Sequence, residues 1–372
     1  MKIAILGSVV TQVPPMGQAA IEWMAYHQAL GLAKLGHKVL LFAPEGSKVE
    51  HENITLVNVG KGGSLSGIGK EGVDLQSKRL GTSYKMRLEI TNLGFLIGEL
   101  LDRDNQFDIL VNNLRGEAVV VPVAQLLRKP LVHVMHLPLF DELSSLFKRY
   151  NTHLISISDA QRKAFPDLNY AGTVYNGVDP NFFTYNEKPE DYYLYLGSIG
   201  ANKNPKDAVL ACKKAGVKMM IGGRIKDKDY YDKEIAPHID DKNIKWVGEM
   251  HPADVVKLYQ GARAFLFPTL WEEPFGLVMI EAMSCGTPVI AYPNGAVPEV
   301  VEEGFNGFLV KNVGEMVGKI KEMEQCSLPD RQAGNVTMLQ WRRNTRKSVE
   351  EKFTIEKMVA KYEEVLKKIL RY

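Results

Sequence analysis

Glu272-Glu273-Pro274-Phe275-Gly276-Leu277-Val278-Met279-Ile280-Glu281-Ala282-Met283-Ser284-Cys285-Gly286-Thr287-Pro288-Val289-Ile290 is the stretch on which the fold turns. A Pro-Phe-Gly turn opens an apolar segment that stops at Cys285-Gly286-Thr287-Pro288, which reads as a turn entering a helix. The start of such a helix offers unpaired backbone N–H groups and the positive end of a dipole, a ready site for a diphosphate. Glu281 follows about one and a half turns later, roughly 7 Å along the axis. That distance suits a hydroxyl-bearing group attached beyond the phosphates. Together with Glu273 ahead of the turn, the pattern fits a sugar nucleotide.

Working outward, 372 residues are too many for one ordinary domain and comfortable as two. A hydrophobic fraction of 45% and a charged fraction of 24% indicate a globular chain, and a net charge of +2 gives no global pull toward nucleic acid or membrane. The cysteines, Cys212, Cys285 and Cys326, are scattered without metal-ligand spacing, so a reducing cytoplasm is expected and a structural zinc is not. The opening Met1-Lys2-Ile3-Ala4-Ile5-Leu6 reads as a first buried strand rather than a signal peptide, since its apolar part is short and Pro14-Pro15 follows. No run reaches the roughly 18 apolar residues that cross a bilayer.

Short apolar runs alternate with helical segments, the signature of parallel βα units. Strands are expected near Lys2–Leu6, Lys38–Phe42, Ile109–Asn112, Leu131–Met135 and Leu154–Ser156. A second set is expected near Tyr193–Leu196, Lys218–Ile221, Ile244–Val247, Ala264–Phe267, Pro288–Ala291 and Gly307–Val310. Between them, Val174-Tyr175-Asn176-Gly177-Val178-Asp179-Pro180 is dense in turn formers and reads as a hinge. The expected organisation is an N-terminal Rossmann-like lobe over 1–175, a C-terminal one over 176–345, and a terminal helical segment over 346–372. Gly60 to Gly81 reads as a loop rich in glycine and serine. Its lysines, with Arg79 and Arg87, would at most make weak peripheral contact with an anionic membrane face, because Glu71, Asp74 and Glu89 dilute the charge.

Several further segments join the acidic helix in a recognisable order: Gly36-His37-Lys38-Val39, Ile157-Ser158-Asp159, Asn176-Gly177-Val178-Asp179, and the ending Glu351-Lys352-Phe353-Thr354. With Glu273 to Glu281 as an E-x7-E motif, the chain resembles the retaining family-4 glycosyltransferases over nearly its whole length. The resemblance implies the GT-B fold, an α/β architecture of two Rossmann-like lobes facing each other across a cleft, with the last helix crossing back to the first lobe. It implies a nucleotide sugar held mainly by the C-terminal lobe, and no metal or other cofactor.

Residue by residue, the resemblance implies that Glu281 holds the ribose and that Glu273 meets the donor sugar. Backbone N–H groups at Phe275, Gly276 and Leu277 would meet sugar and diphosphate, and Lys203 would neutralise the diphosphate. His136 matches a histidine that contacts the donor sugar, in preference to His133, and Gly248 marks a turn where Glu249 and Met250 read the base edge. Two places depart from the family pattern. Ser198 stands where members usually carry an arginine, with Arg224 a candidate replacement, and Ala19-Ala20 stand where paired glycines are usual, leaving Gly17 as the glycine of that loop.

The implied reaction passes a glycosyl group from a nucleotide-diphosphate sugar, a UDP-sugar by default, to a hydroxyl of a glycan, lipid or small molecule. Two alternatives stay open: a nucleotide-sugar binder with weak or no turnover, and a sugar-nucleotide epimerase on the same fold. A nicotinamide dehydrogenase is disfavoured, because no strand is followed by both a GxGxxG turn and a ribose-binding acid about twenty residues on.

Overall fold

The computed structural model describes residues 1–17, 19–63, 75–325 and 337–371, with backbone alone for 75–83. The chain divides into two compact units, Met1–Tyr175 with Ile355–Tyr372, and Asn176–Thr354. In the first, β1 (Lys2–Leu6), α1 (Ala20–Lys34), β2 (Lys38–Ala43), β3 (Ile54–Asn58), α2 (Leu75–Asp102), β4 (Ile109–Asn112), α3 (Glu117–Leu127), β5 (Leu131–Met135), α4 (Asp141–Arg149), β6 (His153–Ser156) and β7 (Tyr170–Thr173) follow in turn. The second carries β8 (Tyr193–Leu196), α5 (Pro205–Ala215), β9 (Met219–Gly222), α6 (Lys228–Glu234), β10 (Ile244–Gly248), α7 (Pro252–Gly261), β11 (Phe265–Phe267), α8 (Leu277–Ser284), β12 (Val289–Ala291), α9 (Val297–Val300), β13 (Gly307–Leu309), α10 (Val313–Gln325) and α11 (Met338–Lys352). The last helix, α12 (Ile355–Leu370), belongs to the first unit.

Both sheets are parallel throughout, in the orders β3-β2-β1-β4-β5-β6-β7 and β10-β9-β8-β11-β12-β13. Their central strands are buried on both faces, β4, β5 and β8 along their whole length, as parallel sheets covered by helices require. In each sheet the order of strands reverses direction at one place, between β1 and β4 in the first and between β8 and β11 in the second. Open α/β sheets hold ligands outside the carboxyl ends of the strands at such a point.

Local chemistry explains the joints. Gly36, at φ +87°, ends α1 by a left-handed turn in which His37 N donates to Leu32 O (3.2 Å), and β2 starts at Lys38. The final helix buries Met358, Val359, Tyr362, Val365 and Leu366. It lies so close to α1 that a Cβ at Gly31 would come within 2.3 Å of Val359, and His37 bonds Glu363 at 2.8 Å.

Several expectations need correction. Strands β3 and β7 do not stand out in the sequence because both are edge strands. Only Val57 of β3 is buried, and β7 is half-buried along its length, so neither carries a strong apolar run. Residues 75–81, expected in the loop, begin α2, since leucine, glutamine, lysine and arginine outweigh the penalty of about 1 kcal/mol for Gly81. Residues 64–74 of that expected loop lie outside the described residues, as does Cys326. The expected boundary at 345/346 falls inside α11, whose last turns stay with the second unit and pack on α8. Among the described residues, no helix is long and apolar enough to cross a membrane.

Candidate functional site

Helix α8 is built to begin and end sharply. Gly276 precedes it at φ +87°, and a Cβ there would stand 2.5 Å from Met279 Cε, so only glycine enters the turn without strain. The first N–H groups of α8 have no carbonyl one turn back within the helix. At the other end, arginines of α11 supply donors to the last carbonyls: Arg346 to Ser284 O (2.9 Å) and Arg342 to Cys285 O (3.1 Å). Arg342 is fully buried and also donates to the carbonyls of Asn186, Gln260 and Ala262. Cations at the C-terminus complement the helix dipole there.

Ahead of α8, the strands flanking the reversal in the second sheet bring two opposite charges together. Lys203 follows β8 and Glu273 follows β11, and the ammonium of Lys203 is paired with Glu273 Oε2. The same oxygen accepts a bond from the indole N–H of Trp271 (2.8 Å), whose ring lies 4.7 Å from Lys203 Nζ. Backbone contacts hold this pair in place. Leu270 N donates to Asn202 O (2.9 Å), tying the two loops together, and Ala296 N donates to Glu273 O (2.8 Å). Gly295, at φ +60°, makes that approach possible, since a Cβ there would lie 2.3 Å from Glu273 N. Glu273 is only 8% exposed, so its charge depends on these partners.

Glu281 lies within α8, half-buried. Among the described residues, the hydrogen bond made to its side chain comes from the buried hydroxyl of Tyr259 on α7, to Oε2 at 2.9 Å. Loss of solvent around the carboxyl pushes its pKa up to about 7, and the Tyr259 bond only partly opposes this. A carboxylate kept at this cost, with one oxygen that has no hydrogen-bond partner among the described residues, is suited to receive hydroxyls from a ligand.

The remaining expected residues of this unit surround the same strand ends. Ser198 follows β8, and its carbonyl accepts the Tyr195 hydroxyl (3.1 Å). Arg224 follows β9, where its carbonyl accepts Ile199 N (2.9 Å); its side chain is exposed and has no ion pair among the described residues. Gly248 ends β10 at φ +78°, its carbonyl accepting Gly223 N (2.8 Å), with exposed Glu249 and half-buried Met250 just beyond.

Gly17 and His136 belong to the first unit. The Gly17 carbonyl accepts Ala19 N (3.1 Å) and the Trp23 indole N–H (3.2 Å), and α1 begins at Ala20. His133 is buried and spends its ring on Asn112 O (3.1 Å), whereas His136, just past the end of β5, turns Nε2 to Asn113 Oδ1 (2.9 Å). Burial lowers the pKa of both rings, to about 4 for His133 and about 3 for His136; the charges of His133 and Arg115 lower the latter further.

Sequence reasoning misses Trp271, Tyr259, Arg342 and Arg346. Trp271 sits two residues before Glu273 and could have been suspected as a neighbour. Tyr259 comes from α7 and the two arginines from α11, so none of them leaves a sign in the stretch around α8.

Two family models match the chain in succession. Residues 21–182 match Glycosyltransferase Family 4, and residues 179–346 match Glycosyl transferases group 1. Over 100 residues the chain is 36% identical to the N-acetyl-alpha-D-glucosaminyl L-malate synthase of Bacillus anthracis, which covers 27% of this chain and 25% of that protein. Over 211 residues it is 26% identical to the D-inositol 3-phosphate glycosyltransferase of Mycolicibacterium smegmatis, covering 50% and 47%. The matches thus span between a quarter and just under half of these relatives. Among solved structures, sucrose-phosphate synthase from Thermosynechococcus elongatus superposes with a TM-score of 0.71 at 17% identity, over 99% of both chains. Anabaena Alr3699/HepE in complex with UDP-glucose does so with a TM-score of 0.67 at 19% identity, over 99% of this chain and 100% of that one. At such identities the likeness is one of fold.

Proposed function

Since this chain belongs to the family-4 glycosyltransferases, we propose that it moves a sugar from a nucleotide-diphosphate sugar to a hydroxyl acceptor, with retention at the anomeric carbon. The observation that carries this reading is the meeting of Lys203 and Glu273 at the strand reversal of the second sheet, on the approach to the N-terminus of α8. A cation, a carboxylate and open N–H groups are the parts that a diphosphate and an adjoining sugar need. UDP is the default base, supported by the fold likeness to a protein solved with UDP-glucose.

In the reaction so read, the bond between the anomeric carbon and the phosphate oxygen breaks while a bond to the acceptor oxygen forms on the same face. The acceptor's proton passes to an oxygen of the leaving diphosphate. Lys203 and the N–H groups at Phe275, Gly276 and Leu277 stabilise the charge gathering on that diphosphate, and Glu273 responds to the charge on the sugar. Glu281 holds the ribose, and the backbone beside Glu249 and Met250 meets the base. No metal takes part in this scheme. A cytoplasmic location, with at most weak peripheral contact at the inner membrane face, belongs to the same reading.

A second reading, a nucleotide-sugar binder with little turnover, is favoured by Ser198, since one expected cation is replaced by a hydroxyl. Release of nucleoside diphosphate from UDP-, GDP- and ADP-sugars separates the two. The transferase hydrolyses or transfers at least one of them, and binding of a sugar nucleotide without any release would favour the second reading.

A further inference from the structure

The carboxyl ends of the first sheet hold a polar chain that no charge pattern announces. Asn113 follows β4, and its N–H donates to Leu6 O (3.1 Å), which seats it beside the end of β1. Its side chain is 1% exposed and bonded on both sides: Nδ2 donates to Gln28 Oε1 of α1 (2.8 Å), and Oδ1 faces His136 Nε2 (2.9 Å). Gln28 is 1% exposed as well and meets Tyr362 of α12 from behind. The ring of His136 is aimed by its own backbone, whose N–H donates to Val134 O (2.9 Å).

The chemistry of these groups determines where the ring proton sits. An amide oxygen only accepts, so in the orientation in which Nδ2 of Asn113 donates to Gln28 Oε1, the nitrogen facing Oδ1 carries hydrogen. His136 Nδ1 then bears a lone pair. Among the described residues that atom has no hydrogen-bond partner, and it is not among the buried unpaired atoms. His133 is oriented the opposite way, because its Nδ1 faces a carbonyl, which demands Nδ1–H. Neighbouring histidines on one strand end therefore carry opposite tautomers.

We propose that Asn113 is a positioning residue which, backed by Gln28, holds His136 as the neutral Nε2–H tautomer, so that Nδ1 accepts a hydrogen bond from a substrate hydroxyl. This rests on the transferase reading only for the identity of the hydroxyl, that of a sugar. His136 is then an acceptor that orients its partner; it neither donates from Nδ1 nor delivers a proton. The charged and titratable groups around the ring favour neutrality. His133 shares its strand, and Arg115 lies after β4, paired at 3.5 Å with the buried Glu22 of α1. Burial of the ring acts in the same direction.

The test labels the histidine rings of the full chain with ¹⁵N and records long-range proton–nitrogen correlations between pH 8 and pH 5, with His136→Gln and His133→Gln as assignment controls. His136 should give a protonated Nε2 and a bare Nδ1 throughout, with His133 reversed. An Nδ1–H ring at His136, or one that takes up a second proton in this range, overturns the proposal. Asn113→Asp keeps an acceptor and adds charge, so the His136 ring should begin to titrate within the range and transfer should gain a matching pH dependence. Asn113→Leu should lower kcat about tenfold with little change in donor KM. An Asn113→Asp protein that folds, leaves the ring unchanged and keeps the parent's pH profile also overturns it. The ring measurement needs no turnover, so a chain that binds no sugar nucleotide would defeat the transferase reading and leave the tautomer result to decide this one.

Discussion

The two sheets offer their carboxyl ends in different chemical styles. In the second unit the strand reversal is occupied by charge: Lys203 paired with Glu273, a carboxyl of raised pKa at Glu281, and a helix start at Gly276. In the first, beside the ion pair of Arg115 with Glu22 (3.5 Å), the corresponding ends carry neutral groups in series, Gln28 to Asn113 to His136. Charged groups suit a ligand whose own charge changes during reaction, and neutral relays suit the orientation of hydroxyls. The difference teaches that one fold, used twice in a chain, can carry two kinds of recognition.

That comparison is open to breakage. The largest effect is expected at Glu273: Glu273→Gln should lower turnover about a hundredfold or more, in the range lost with one transition-state contact. If initial rates fall less than in Asn113→Leu, the charged end is not the dominant one. Next, Glu281→Ala should weaken binding of nucleoside diphosphate roughly tenfold to a hundredfold and change kcat less, because ribose contacts are made equally before and during reaction. Equal losses in kcat and affinity would place Glu281 at the reacting centre instead of at the ribose.

Glu281 also sharpens the comparison through stability. Folding raises its pKa from the ordinary value of 4.5 to about 7, chiefly by burial, so the native state binds the proton more tightly than the unfolded chain. The parent should therefore lose stability, relative to Glu281→Gln, as pH rises from about 4.5 to 7, by on the order of 3 kcal/mol at most. Urea denaturation of both proteins at pH 5 and pH 8 measures this; a constant difference would mean that the carboxyl is not strained by burial. Smaller still, Arg224→Ala should reduce diphosphate affinity about threefold to tenfold if its exposed guanidinium replaces the cation missing at Ser198. A silent Arg224→Ala together with a faster Ser198→Arg would end that idea. Chelation with EDTA should change nothing, and activity lost to EDTA and restored by magnesium would introduce a metal that the scheme omits.

Much of this was legible in the sequence where physics is local. The turn Pro274-Phe275-Gly276 and the helix it opens are encoded within a few residues, because glycine alone tolerates the φ of +87° there. Central strands such as Leu131–Met135 show as apolar runs because both their faces are buried. Edge strands β3 and β7 did not, for the opposite reason. The relay behind His136 was illegible since Gln28 and Asn113 lie 85 residues apart in the chain and either reads alone as an ordinary polar residue. Arg342, drawn from α11 to hold the far end of α8, has the same character, a long-range contact with no local sign.

The central claim is that Lys203, Glu273 and Glu281 form the seat of a nucleotide-diphosphate sugar, and calorimetric titration of UDP, GDP and ADP into the parent and Glu281→Ala tests it most directly. At least one nucleotide should bind the parent, and bind Glu281→Ala at least tenfold more weakly with the variant still folded. A parent that binds none of the three, or a variant that binds as tightly as the parent, would contradict it.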